Sequence, residues 1–191
     1  MTSKLLSREK IIKEAFDFID KQGRAEFSLR KLAARLNVQV SSLYNHISGE
    51  KDILVEVIVR SVKMFTDCIN SARGDLVRDE AAFSTGDAFR SFVNEHPHLY
   101  EIANTVKWSD SPEAEELNKR YIEPIFILMK QYGVEDADAQ VHILRMIRVV
   151  THGFSSLEVM GAFEDDPGSA TESYHLMVQS VIDLMKKYGN T

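Results

Sequence analysis

An all-α fold is the prediction, and three features carry it. Apolar residues recur at three- and four-residue spacing, no stretch alternates strictly at two, and only 9 Gly and 4 Pro interrupt 191 residues. The expected architecture is about nine helices: a three-helix head, a long fourth helix, and a helical-bundle body. The head is placed at 1–51 and the body at 52–191.

Ile12, Ala15, Phe16 and Ile19 share one face of a first helix that Gly23 ends. Ser28 suits the N-cap of a short second helix with Leu29, Leu32, Ala33 and Leu36 inward. Asn37 breaks it, and a third helix is expected over 39–47. The fourth begins near Glu50, with Leu54, Val57, Ile58, Ser61, Phe65 and Ile69 on one stripe. Residues 73–86 are weakly patterned, with a helix over about 83–95, and Pro97 suits the first turn of the next. Beyond a KWSDSP loop, Ser111 and Pro112 open a helix that Pro124 should kink. Val141, Leu144, Ile147, Thr151 and Phe154 keep register along 136–161, DDPG at 165–168 turns the chain, and Tyr174, Val178, Val181, Met185 and Tyr188 line the last helix.

Composition narrows the function classes. The chain is 44% hydrophobic and 27% charged, which suits a folded protein rather than a disordered one. The single Cys68 excludes an intramolecular disulfide framework and a four-thiolate zinc site. No apolar run approaches the roughly 18 residues of a membrane span, and the opening MTSKLLSREK turns charged after two leucines, so a cytoplasmic protein away from membranes is expected. The net charge of −6 divides unevenly: 1–51 carry +4 and 52–191 carry −10. A basic head that meets phosphates on an acidic body is one way to obtain that split, and chance clustering is another.

The informative stretch is FSLRKLAARLNVQVSSLYNHI, residues 27–47. Ala33 is small where two helices cross, and Asn37 stands where the turn needs a left-handed backbone. Val38, Leu43 and Ile47 can lock the second helix onto the first. That is the sequence form of a helix-turn-helix, whose second helix enters the DNA major groove. With Leu43 and Ile47 inward, Ser41 and Asn45 face outward and Ser42, Tyr44 and His46 flank them; none is acidic. Asn45 suits an adenine edge, because its amide can bond there twice. Tyr44 and His46, with Arg30, Lys31 and Lys51, suit phosphates, and Ser28 and Gln39 complete the expected DNA-contacting set.

Over residues 8–55 the chain resembles the DNA-binding domain of the TetR family of bacterial regulators, through Leu32-Ala33, Asn37-Val38, Leu43-Tyr44, His46-Ile47 and the Lys51-to-Leu54 opening of the fourth helix. It departs in Asn37 for the usual turn Gly, in Ile47 for the usual Phe, and in Lys51, one position later than the family's phosphate-contacting Lys. FVNEHPHLYEIA at 92–103 and THGFSSLEVMGAF at 151–163 are similar to one C-terminal type, Thr151 replacing the Trp of a Trp-His-Gly signature. The resemblance implies a homodimer built by helices at about 136–161 and 170–188, and a small-molecule cavity in each body. Those two segments are also apolar enough to pair outside their own subunit. Phe65, Cys68, Phe89, Trp108 and Met146 could line such a cavity from inward stripes, places that equally suit plain core. His152 reads as a core histidine or a ligand contact, and an apolar or aromatic effector is expected.

Enzyme readings lack a constellation. His96 and His98 flank Pro97 without a second half-site, and His142 and His152 lie ten residues apart, about 280° round a helix. There is no glycine-rich phosphate loop, no G-x-S-x-G elbow and no paired Cys base, so neither catalysis, metal nor cofactor is expected. The expectation is a repressor that binds a palindromic operator as a dimer and is released by a small molecule. The alternative is a helical adaptor or ligand-binding module whose head binds protein; it would more often carry apolar anchors where 41–46 are polar.

Overall fold

A computed structural model describes residues 6–105 and 112–189. Among them there is no strand, and ten α-helical segments form nine rods, because a π turn joins two of them. The chain divides into two compact units, Met1–Lys63 with His96–Lys107 and Met64–Glu95 with Trp108–Thr191.

In the first unit α1 (Arg8–Gln22) starts at Ser7, whose hydroxyl accepts the Lys10 amide, and stops at Gly23, with φ of 81°. Its buried face is Ile11, Ile12, Ala15, Phe18 and Ile19. Phe18 takes the place expected for Phe16, which is half-buried, because an edge-on contact with Phe27 at 5.7 Å draws it inward. Helix α2 (Leu29–Leu36) is capped by Ser28, which accepts the Lys31 amide, and Leu32 and Ala33 are buried. Asn37 adopts φ 55° and ψ 47°, the left-handed conformation expected of it. The amides of Asn37 and Val38 then reach back to the Ala34 and Ala33 carbonyls, a Schellman closure that satisfies the helix end.

Helix α3 is shorter than the expected 39–47. Regular α geometry covers Val40–Leu43 alone. Tyr44–His46 form a turn in which the His46 amide bonds the Leu43 carbonyl at 2.9 Å, three residues back. Such tightening is the ordinary fate of a last turn, and Ser41, Ser42 and Asn45 are weak helix formers. Leu43 and Ile47 are nevertheless both buried, so the outward set keeps its orientation.

Helix α4 (Glu50–Arg73) begins where Asp52 accepts the Ser48 amide at 2.9 Å. Arg8 grips Asp52 with two bonds of 2.8 Å and Glu56 with one of 3.0 Å, tying α1 to α4. The guanidinium and the Ser48 amide hold the Asp52 carboxyl far below the usual carboxylate range. Ile53, Val57, Ser61 and Val62 are buried in this unit, while Leu54 and Ile58 are only half-buried. Val57, Ser61, Phe65 and Ile69 are thus buried as the spacing predicts, and Ile53 and Val62 take the inward places expected of Leu54 and Ile58. Helix α6 (Pro97–Ala103) has Pro in its first turn, buries Leu99, Ile102 and Ala103, and meets α1 where His96 Nδ1 lies 2.9 Å from Asp20.

The second unit holds α5 (Arg78–Glu95), α7 (Pro112–Gln131), α8 (Ala137–Arg148), a π turn (Val149–Gly153), α9 (Phe154–Val159) and α10 (Ala170–Tyr188). Helix α5 begins five residues before the expected 83, in the weakly patterned stretch. Asp79 in its first turn accepts from the Tyr132 hydroxyl at 2.6 Å and from Lys186 at 2.7 Å, and Ala81 and Ala82 are buried. Pro124 lies inside α7, and the residues expected to form its preceding loop and cap, through Ser111, lie outside the described set.

Along α8 the buried residues are Ala139 and Ile143, while Val141, expected inward, is exposed. The π turn explains the mismatch: it winds wider than 3.6 residues per turn, so one uninterrupted stripe cannot join Val141 to Phe154. Helix α10 buries Tyr174, Val178, Val181, Ile182 and Met185, but Tyr188 is exposed at the helix end. The Tyr174 hydroxyl donates to the Gly86 carbonyl at 2.8 Å, and Arg90 pairs with Glu158 while lying 5.5 Å from the Phe154 and Tyr174 rings.

Candidate nucleic-acid interface and internal cavity

The first unit presents a polar surface around α3. Gln39, Ser41, Tyr44 and Asn45 are exposed, and Ser42 and His46 are half-buried beside them. Tyr44 is the prominent member, an aromatic side chain 54% exposed. Because Leu43 and Ile47 anchor the segment from beneath, four exposed polar side chains project from a fixed backbone rather than a free loop.

The cations divide into two groups. Arg30 and Lys51 are exposed and have no acidic partner among the described residues, so both are available to phosphates. Lys31 instead reaches Glu26 at 2.5 Å, which must be released or shared before Lys31 can serve DNA. Ser28 spends a hydroxyl lone pair on the Lys31 amide and keeps its own proton to donate. These residues can bond phosphates and base edges; they include no nucleophile–base pair.

The second unit encloses a cavity that offers about 90 Å³ to the centre of a water-sized molecule, room for a small organic ligand. Its aromatic wall is Phe65, Phe89 and Tyr121: Phe65 stacks on Tyr121 at 4.9 Å and meets Phe89 edge-on at 5.3 Å. Ile125, Leu128, Val178, Val181 and Met185 supply aliphatic surface from α7 and α10. His152 enters from the π turn, its ring 5.1 Å from that of Phe89 and its Nε2 3.5 Å from the Tyr121 hydroxyl.

Of the residues expected on such a wall, Phe65, Phe89 and His152 are there. Cys68 and Met146 are not: Cys68 lies half-buried elsewhere on α4, and Met146 packs against the bundle core. Burial and the Glu95 carboxylate push the Cys68 thiol up, so it is a poor nucleophile. Trp108 lies outside the described residues. Tyr121 and Arg148 were missed from sequence. Arg148 had a signal, since it stands four residues before His152 on the same helical face. No group of three His, Cys, Asp or Glu that could hold a metal occurs among the described residues.

Burial, and then the neighbouring Arg148 guanidinium, hold the His152 imidazole at about 4, against an ordinary value of 6.5. Between those pH values the unfolded chain binds a proton that the folded chain rejects. Stability is therefore full above pH 6.5 and falls as pH drops through the window, by on the order of 3 kcal/mol in all. Urea midpoints at pH 7.5 and 4.5 test this: His152→Gln should lose less stability than the parent across the interval, and equal losses would refute it.

Residues 82–181 match the family described as "Tetracyclin repressor-like, C-terminal domain". That match spans more than half the chain, so the chain belongs to the TetR family of helix-turn-helix transcriptional regulators. YobS of Bacillus subtilis is 30% identical over 159 residues, 83% of this chain and 82% of that one, and a Mycobacterium tuberculosis protein is 28% identical over 161, covering 84% and 73%. Both are named as uncharacterized HTH-type transcriptional regulators. Among solved structures, a TetR regulator of Streptomyces coelicolor superposes with a TM-score of 0.69 at 17% identity, over 97% of this chain and all of that one. BioQ of Mycobacterium smegmatis gives 0.67 at 20% identity with the same coverage. These likenesses establish the fold. No helix among the described residues is long and apolar enough to cross a membrane.

Proposed function

We propose that this protein is a cytoplasmic, homodimeric repressor that binds a palindromic operator and is released by an apolar or aromatic small molecule. Residues 1–51 would serve as the DNA-binding part and 52–191 as the dimerisation and ligand-binding part. The observation that carries the reading is the fixed, non-acidic outward set Gln39, Ser41, Tyr44 and Asn45, with the exposed Arg30 and Lys51, which have no acidic partner among the described residues. A major groove suits that surface, and two copies would place it in successive grooves about 34–36 Å apart.

Exposed apolar side chains support the dimer. Val141 on α8, Val149 in the π turn, Leu157 on α9 and Met160 just beyond it are exposed, as are Leu176 and Met177 on α10, with Met160 79% exposed. Gly153, also exposed, stands four residues after Val149 and four before Leu157. A mid-helix glycine costs about 0.5–1 kcal/mol relative to alanine. A Cβ there would meet nothing within 4 Å among the described residues, so packing within the protomer does not call for glycine, and close approach of a second copy would. Ligand binding in the cavity must favour a DNA-incompetent arrangement by roughly 5 kcal/mol to switch occupancy nearly fully.

Selection of bound duplexes from a random DNA library, at near-physiological salt, tests the reading. Enrichment of an inverted repeat is the expected result, with affinity falling steeply as salt rises. A folded dimer that enriches no duplex would favour the adaptor reading instead.

A further inference from the structure

We infer that the cavity of the second unit selects small apolar carboxylates, the acid group against Arg148 and the apolar body among Phe65, Phe89 and Tyr121. The inference rests on the reading of this cavity as the ligand site of the regulator. Its first support is charge. Among the described residues no Asp or Glu contributes to the wall, and Arg148 is the one permanently charged residue there. His152, the other ionisable base, is held neutral near pH 7.

The second support is the state of the donors. Arg8, Arg24, Arg35, Arg60 and Arg90 each hold a carboxylate of the protein, whereas Arg148 has none among the described residues. The threonine hydroxyls of the wall are already committed: Thr85 donates to the Ala81 carbonyl at 2.7 Å and Thr151 to that of Ile147 at 2.9 Å. They can offer a ligand only lone pairs, which a carboxylate cannot use. Arg148 offers a planar fork of N–H donors that matches a carboxylate.

Placement is the third. Arg148 is solvent-exposed while lining the cavity, so the ligand's charge would stay near water and its desolvation cost would be small. The hydrocarbon would displace water from an aromatic and aliphatic interior. An alcohol of the same skeleton gives up the ionic bonds, and an amine meets like charge.

Calorimetric titration of the free protein with octanoate, octanol and octylamine, repeated with 3-phenylpropanoate and its alcohol and amine, tests the inference. The carboxylate should bind about tenfold or more tightly than the alcohol, with the amine weakest. Arg148→Gln should bring the carboxylate down to the alcohol and leave the alcohol unchanged; an exposed helical position tolerates that exchange. Equal binding of acid and alcohol, or an acid preference that survives Arg148→Gln, would overturn the carboxylate assignment and leave the cavity a ligand site. Silence from every probe at millimolar concentration would overturn both. The titration contains no DNA, so a failed operator search leaves its result intact.

Discussion

Val149→Glu combined with Leu176→Glu should leave a folded monomer that no longer holds operator DNA. Val149 is 72% exposed and Leu176 70% exposed in the protomer, so neither contributes to its core, and helicity and secondary-structure content should stay at the parent level. In a two-fold dimer each residue is buried twice. Burying one Val or Leu side chain contributes about 1.5–3 kcal/mol, and an unpaired carboxylate in its place adds a desolvation cost. The dimer dissociation constant should therefore rise by at least about a hundredfold, since 2.7 kcal/mol is two decades. Operator affinity should fall with it, because one head engages only one half-site. Analytical ultracentrifugation across a concentration series reads the first effect and a gel-shift titration the second. A double variant that still sediments as a dimer would move the interface off α8, α9 and α10.

What sequence could reveal follows from the range of the forces involved. Ser28 and Asn37 were legible because a cap and a left-handed turn are settled by chemistry within a few residues, and the structure places both as the spacing predicts. The start of α5 was not, because Asp79 finds Tyr132 and Lys186 at separations of 53 and 107 residues. The stripe on α8 failed at Val141 for a different reason. A fixed 3.6-residue period has no means to represent the π turn at Val149–Gly153.

The same distinction runs through the two candidate sites. The surface at α3 comes from one continuous segment, so its outward residues could be counted from Leu43 and Ile47 even though regular helix ends at Leu43. The cavity is assembled from α4, α5, α7, α8, the π turn and α10, and Tyr121 reaches it because α7 lays that residue on Phe65. His152 was visible as a polar residue in an apolar stretch, and that burial is what lowers its affinity for a proton.

Tyr44→Ala should weaken operator binding by about ten- to a hundredfold while leaving the dimer intact. Tyr44 is 54% exposed and caps the C-terminal end of α3 through its backbone, which Ala keeps, so truncation opens no cavity and leaves the cap in place. A hydroxyl-to-phosphate bond contributes about 0.5–1.5 kcal/mol and the dimer makes it twice, which sets that range. Tyr44→Phe separates the two halves of the side chain. If the hydroxyl bonds a phosphate, Phe should behave nearly as Ala does; if the ring packs on sugar or a thymine methyl, Phe should behave as the parent. Asn45→Ala should differ in kind, relaxing the preference at one base pair per half-site, because an amide on a base edge carries sequence information and a phosphate contact does not. Binding curves on the selected operator and on single-base variants distinguish these patterns. Unchanged affinity in both Tyr44→Ala and Asn45→Ala, from protein that remains dimeric, would mean that the segment from Gln39 to His46 does not enter the groove, and the DNA-contacting surface would have to be sought elsewhere on the first unit.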